Sequence, residues 1–116
     1  MRETTCPADE LPHPPDRRAV RDVPERERYE ITVDGVPAGH LAYLLRRELI
    51  ALVHTEVDER YEGHGLGSRL IRFALDDARE RGLAVLPVCP FVKSFIERNP
   101  EYTDLVPADT RARFGL

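Results

Sequence analysis

From Arg28 the chain alternates apolar and polar positions with a period of two, Tyr29, Ile31 and Val33 against Glu30 and Thr32. This is the pattern of a strand with one buried face. Asp34-Gly35 follows at once, and Asp-Gly suits a tight hairpin because both residues tolerate a positive φ. A second strand is therefore expected over residues 38–45, a polar turn at Arg46-Arg47-Glu48, and a third strand over residues 49–57, LIALVHTEV. Together they make an antiparallel meander. The third strand is apolar at successive positions as far as Val53, as a central strand covered on both faces would be, and turns polar only at His54, Thr55 and Glu56.

Past this point the period changes to that of a helix. Leu66, Leu70, Phe73, Ala74 and Ala78 recur at helical spacing, Arg69, Arg72, Asp76 and Arg79 fill the other side, and Gly82 is a natural stop. Residues 83–88, LAVLPV, read as a further strand. A helical crossover separates it from the third strand, so the two must run parallel. Residues 91–98 read as a short helix ending before Asn99-Pro100. Residues 1–26 hold Pro7, Pro12, Pro14, Pro15 and Pro24 among charges, too little apolar surface to offset the entropy of ordering. They are expected to form a flexible leader, with the domain over residues 27–106 and a loose tail over 107–116.

Composition narrows the function classes. A chain of 116 residues has material for one core. Its 17 basic residues are interspersed with 21 acidic ones for a net charge of −4, so no basic field points to nucleic acid. No apolar run approaches the roughly 18 residues of a membrane span. The N-terminus is charged and proline-rich where a secretory signal would carry an apolar core. Cys6 and Cys89 stand far apart and suggest neither a disulfide framework nor a metal cluster. No metal is expected, and a reducing cytoplasm fits best.

Between the third strand and the helix lies RYEGHGLGS, residues 60–68, with glycine at 63, 65 and 67. The first amides of a helix lack internal partners and carry partial positive charge, and glycine lets an anion approach them closely. Such a corner attracts phosphate. A Walker loop would end in Gly-Lys-Ser/Thr, and a dinucleotide loop starting at Gly63 would need glycine at Ser68; neither is present. The glycines also admit a purely structural reading, in which they only let strand and helix pack closely.

Arg60-x-x-Gly63-x-Gly65 on a strand-to-helix corner, HTEV at 54–57 and PVCPFVKSFIERNPEY at 87–102 together resemble the GCN5-related N-acetyltransferases, in their small stand-alone branch. The resemblance covers about residues 27–106. It implies a reduced acyl-CoA N-acyltransferase fold of the α/β class: a mixed sheet with an antiparallel meander and a parallel strand pair splayed at the cofactor site, flanked by helices. It also implies acetyl-CoA as the donor. The backbone from Tyr61 to Leu66 would surround the pyrophosphate, making Val57, Arg60, Tyr61, Glu62, Gly63, His64, Gly65 and Leu66 the cofactor-binding residues. Independently, Pro87 and Pro90 lack N–H donors, so the strand carrying Cys89 is expected to part from its neighbour there.

Transfer to an amine needs a neutral nucleophile and a route for its proton. His54 and Glu56 share one face of a strand and either could take that proton; a satisfied structural pair is the other reading. Cys89 could act as a nucleophile, as the acid for the leaving thiolate, or as a small inert hydrophobe. Larger relatives of the resembled family often place a tyrosine near the leaving sulfur. Tyr102 is assigned first to packing. The chain lacks the helix pair that ordinarily follows the first strand in that family. Its acceptor side is therefore expected to be open, suiting a protein terminus, a lysine side chain or a polyamine, unless an oligomer supplies the missing wall. Two functions follow: an acetyl-CoA-dependent N-acetyltransferase working by direct amine attack, or a noncatalytic acyl-CoA-binding or sensing module. Thiol release driven by an amine separates them.

Overall fold

The computed structural model describes residues 18–116. Its mixed five-stranded sheet runs in sequence order: β1 (Arg18–Val23), β2 (Arg28–Val33), β3 (Val36–Arg46), β4 (Leu49–Val57) and β5 (Ala84–Pro87). The first four are antiparallel, and β5 is parallel to β4. Helix α1 (Leu66–Glu80) provides the crossover, and α2 (Pro90–Arg98) follows β5 directly. A 3₁₀ turn (Pro100–Leu105) and a short helix α3 (Ala108–Arg111) complete the chain with a last turn at Ala112–Phe114.

The expected hairpin is present, with Asp34 and Gly35 both at positive φ, 52° and 80°. The anticipated helical stripe is also the buried one: Leu66, Leu70, Ile71, Ala74, Leu75 and Ala78 face the sheet. α1 crosses that sheet and touches every strand. The core forms between them from Tyr29, Ile31, Leu41, Tyr43, Ile50, Leu52 and Val85, extended by Val92, Phe95 and Ile96 of α2.

Three expectations are corrected. The third strand of the meander, β4, is interior but buries mainly one face: Ile50 and Leu52 are fully covered, Ala51 and Val53 only partly. The described helices pack on one side of the sheet, and Leu44 and Val88 remain exposed. The tail from Pro107 is not loose throughout, because it forms short helical turns and Leu116 packs against the core. The reading of residues 1–26 as a leader gives way over its last part, since Arg18–Val23 is an edge strand paired with β2 along its whole length. Residues 1–17, including Cys6, lie outside the described residues.

β1 is fastened by more than its ladder. Val23 is buried, and Asp22 accepts a 2.6 Å hydrogen bond from the Tyr43 hydroxyl. Arg81 bridges Asp22 and Asp77, and the Tyr29 hydroxyl donates to Asp77 at 2.8 Å. Burial and these carboxylates push both tyrosine hydroxyls well above the ordinary phenol range. Deleting residues 1–24 removes a buried valine and orphans a core hydroxyl, an expected loss of roughly 2–5 kcal/mol. Deleting residues 1–17 touches none of these contacts. Urea unfolding of the two truncated chains checks this: equal midpoints would mean that β1 adds nothing.

Candidate functional site

β4 and β5 pair only from Leu49↔Ala84 to Leu52↔Pro87. The ladder ends where the Cys89 N–H donates to the Leu52 carbonyl at 2.8 Å, while the Val88 N–H turns back to Leu86 at 3.0 Å. Pro87 and Pro90 have no N–H to continue it. Beyond Leu52 the two strands part, and β4 runs on to Val57 without β5 beside it. This is the splay expected from the prolines.

The splay opens into a cleft of about 630 Å³ lined by Thr55, Val57, Tyr61, Glu62, Gly63, Gly65, Leu66, Gly67 and Ser68, with Phe91 and Arg98 of α2 on the opposite wall. The corner enters through a 3₁₀ turn, Glu59–Tyr61, capped by the Asp58 side chain accepting from the Arg60 N–H at 2.9 Å. Gly63 and Gly65 then sit at φ 84° and 77°. Gly65 is the N-cap of α1 and has no side chain to satisfy the helix amides. Arg69 N–H donates to the Gly65 carbonyl at 3.1 Å, but the amides of Gly65, Leu66, Gly67 and Ser68 find no acceptor among the described residues. A Cβ placed on Gly63 or Gly65 would meet nothing within 4 Å. Backbone conformation, not close packing, calls for glycine at these two positions. The corner thus presents unpartnered N–H groups beside open space.

At the apex of the splay Cys89 is 2 % exposed, and its Sγ lies 3.3 Å from Thr55 Oγ1, either atom able to donate. Thr55 reaches this face through a bulge. Ala42 pairs with His54 but Tyr43 with Leu52, so Val53 is an extra residue on β4. The bulge reverses the alternation and turns Thr55 inward, His54 and Glu56 outward. These last two share a face, as the spacing implied, but it is the face opposite Cys89.

On that open face Glu56 Oε1 stands 3.8 Å from His54 Nε2 and 3.7 Å from His40 Nε2. His40, on β3, lies opposite Glu56 of β4 and opposite Glu30 of β2. Its partial burial, then the nearby Arg28 guanidinium, hold its imidazole below the usual histidine range, against the pull of Glu56. Glu30 is held below the usual carboxylate range by its hydrogen bond from Arg28. A second cleft of about 660 Å³ covers this region, lined by Arg28, Glu30, His40, Glu56, Val57, Glu59 and Arg60 among others. It shares Glu56, Val57 and Glu59 with the first, so the two clefts meet across the end of β4.

The family model for GCN5-related N-acetyl-transferase matches residues 28–105 of this chain. The chain belongs to the GCN5-related N-acetyltransferase family. It is 30% identical over 99 residues to Protein NATD1 of Bos taurus, covering 81% of this chain and 88% of that protein. It is 32% identical over 80 residues to Protein NATD1 of Homo sapiens, covering 66% and 71%. Among solved structures it is similar to a GCN5-like protein of Staphylococcus aureus studied by NMR, with TM-score 0.60, 22% identity, and 78% and 89% of the two chains covered. It is also similar to the Escherichia coli GNAT family N-acetyltransferase YhbS in complex with CoA, with TM-score 0.53, 19% identity, and 66% and 64% covered.

Within this acetyltransferase-family fold the residues singled out from sequence fall into three groups. Val57, Tyr61, Glu62, Gly63, Gly65 and Leu66 line the splay cleft, with Cys89 at its apex. Arg60 is tied to Asp58 at 3.1 Å and lines the second cleft, and His64 lies beside α1 in a separate hollow with Arg72 and Phe73. His54 and Glu56 occupy the open face. Tyr102 is buried against α1, donating to Asp76 at 2.8 Å and accepting from Arg72 at 3.2 Å, as its assignment to packing anticipated. Thr55, His40, Ser68, Phe91 and Arg98 were not singled out. The seven-residue spacing of Phe91 and Arg98 would place them on one helix face, whereas nothing local points to His40.

Proposed function

We propose that the protein is an acetyl-CoA-dependent N-acetyltransferase acting on an accessible primary amine. The observation that carries this reading is the alignment of the unpartnered amides at Gly65–Ser68 with the β4–β5 splay that ends at Cys89. Orphan amides fit a pyrophosphate, and the splay fits an extended arm that needs backbone edges and no side-chain bulk. The CoA bound by the YhbS relative is in keeping with this. The cofactor, when bound, supplies an activated acetyl thioester.

The chain's own residues supply positioning and proton handling. The corner amides would hold the phosphates, and Val57 and Phe91 would flank the arm. Cys89, held by Thr55, is placed to give its proton to the departing thiolate. An incoming amine would approach from the open face, where Glu56 and His54 are exposed and able to attract an ammonium and accept its proton. Amine attack on the activated acetyl group would free one proton, which Glu56, His54 or water would take up, while Cys89 would regain from solvent the proton it gives to the leaving sulfur. An open acceptor side suits a protein terminus, a lysine side chain or a polyamine.

Release of free coenzyme A on addition of peptides with free amino termini, lysine peptides and spermidine is the direct test. Thiol release proportional to at least one amine is expected. Acetyl-CoA binding without release for any of them would favour the sensing module, since the phosphate corner would then serve binding alone.

A further inference from the structure

On the open face of the sheet Glu30 stands among three arginines. Arg28 Nε donates to its Oε2 at 2.8 Å, Arg26 Nη1 donates to the same oxygen at 3.2 Å, and Arg21 Nη2 lies 3.8 Å from Oε1. Among the described residues Glu30 is the one carboxylate paired with any of them. Three guanidiniums against one carboxylate leave the cluster with surplus positive charge. Arg21 and Arg26 are largely exposed, so their remaining N–H donors are open to a ligand, and the planar fork of a guanidinium suits a carboxylate. Arg60, also in the cleft on this face, is held by both oxygens of Asp58.

Strand register places this cluster in line with the open-face carboxylate at the end of β4. Arg21 lies opposite Glu30, Glu30 opposite His40 and His40 opposite Glu56, so a single row crosses from β1 to β4 on one face. Arg28, Ala42 and His54 form the row beside it. With neighbouring strands about 4.8 Å apart, Glu30 and Glu56 are separated by roughly 10 Å. The cleft of about 660 Å³ spans both ends, reaching from Arg26 and Arg28 through His40 to Glu56 and Glu59. Its charge is therefore sorted along its length. Surplus cation lies over β2, and carboxylate lies at the end of β4, where this cleft meets the splay cleft.

Resting on the reading of the protein as an amine acetyltransferase, we propose that its acceptor carries an anionic group about 10 Å from the reacting amine, held by the arginines around Glu30 while Glu56 and His54 receive the amine. An extended peptide covers that interval in about three residues at roughly 3.3 Å each. A protein terminus with Asp or Glu at its fourth position therefore fits the row. A polyamine does not, because its second ammonium would meet the surplus cation over β2.

Thiol release with C-terminally amidated peptides that differ only at the fourth residue, Asp, Asn or Lys, tests this. In the wild type kcat/KM should be about 10-fold higher for the Asp peptide than for the Asn peptide, as for one charge-assisted hydrogen bond near solvent, and lowest for the Lys peptide and spermidine. The difference should sit in KM. In the double variant Arg26→Gln/Arg28→Gln the Asp-to-Asn ratio should fall to near one, and in Glu30→Gln, which frees guanidinium donors, it should rise. An aminoalkanoate of the same span, set against the plain alkylamine, separates the sources of the anion: a like ratio means that charge alone is read, and a ratio confined to the peptides means that the extended backbone is read as well. Equal rates on the Asp and Asn peptides, a preference for the Lys peptide or spermidine, an unchanged ratio in the arginine variant, or a ratio that falls in Glu30→Gln too overturns the proposal and leaves the acetyltransferase reading standing. Thiol release from none of the amines overturns that reading itself, and this inference with it.

Discussion

Cys89→Ala is expected to lower acetyl-transfer turnover by about 10²-fold or more while leaving acetyl-CoA affinity unchanged, the scale associated with losing positioned acid–base assistance. The thiol is buried, and its sulfur is oriented from two sides. The Cys89 backbone is pinned to Leu52, and Thr55 Oγ1 stands 3.3 Å from the sulfur. Because the Cys89 N–H bond survives the substitution, the strand ends should stay in place. Cys89→Ser keeps the volume but loses most thiolate chemistry, so it should fall between wild type and alanine. Intact mass spectrometry after mixing with acetyl-CoA separates two roles: a thiol-labile acetyl adduct means covalent transfer, and its absence with slow turnover means acid assistance. Near-normal turnover in both variants would remove Cys89 from the chemistry and leave the proton route to the open-face groups.

The second large effect is expected at the glycine corner, where Gly65→Glu should cut cofactor affinity at least ~10-fold. A side chain at this position points into open space beside the orphan amides, so the new carboxylate would stand where phosphate must approach. Positive φ adds a backbone penalty of roughly 1–2 kcal/mol for a non-glycine residue, which could reduce stability without touching the site. Gly82→Glu controls for this. Gly82 has φ 70° and equally open surroundings, but it lies past the other end of α1. If both variants melt lower and only Gly65→Glu binds acetyl-CoA poorly, the phosphate placement stands. Unchanged binding in a folded Gly65→Glu would refute it.

The elements that the sequence determined are those whose cause is local. Alternation at Tyr29, Ile31 and Val33, the Asp34-Gly35 turn, and the switch to helical period after Gly65 each follow from backbone preferences of neighbouring residues. The prolines flanking Cys89 likewise announced the splay, because a missing N–H is a property of the residue itself. β1 was not legible in this way. Its RAVRDV carries little apolar surface, and its partners Asp22–Tyr43 and Asp22–Arg81 come from residues distant in sequence.

The site divides along the same line. The glycine corner and Cys89 could be named from motif and chemistry, but the company Cys89 keeps could not. Regular alternation through β4 would give Thr55 the opposite face from Ile50 and Leu52, and only the extra residue at Val53 brings it round to Cys89. That bulge is visible only in the pairing with β3. His40 meets Glu56 because of a cross-strand register set by that same pairing. Arg98 faces the glycine corner because α1 and α2 pack side by side on one sheet face. Local sequence determines which backbone each segment adopts; burial of the shared core sets how segments align, and that alignment alone decides which polar groups meet.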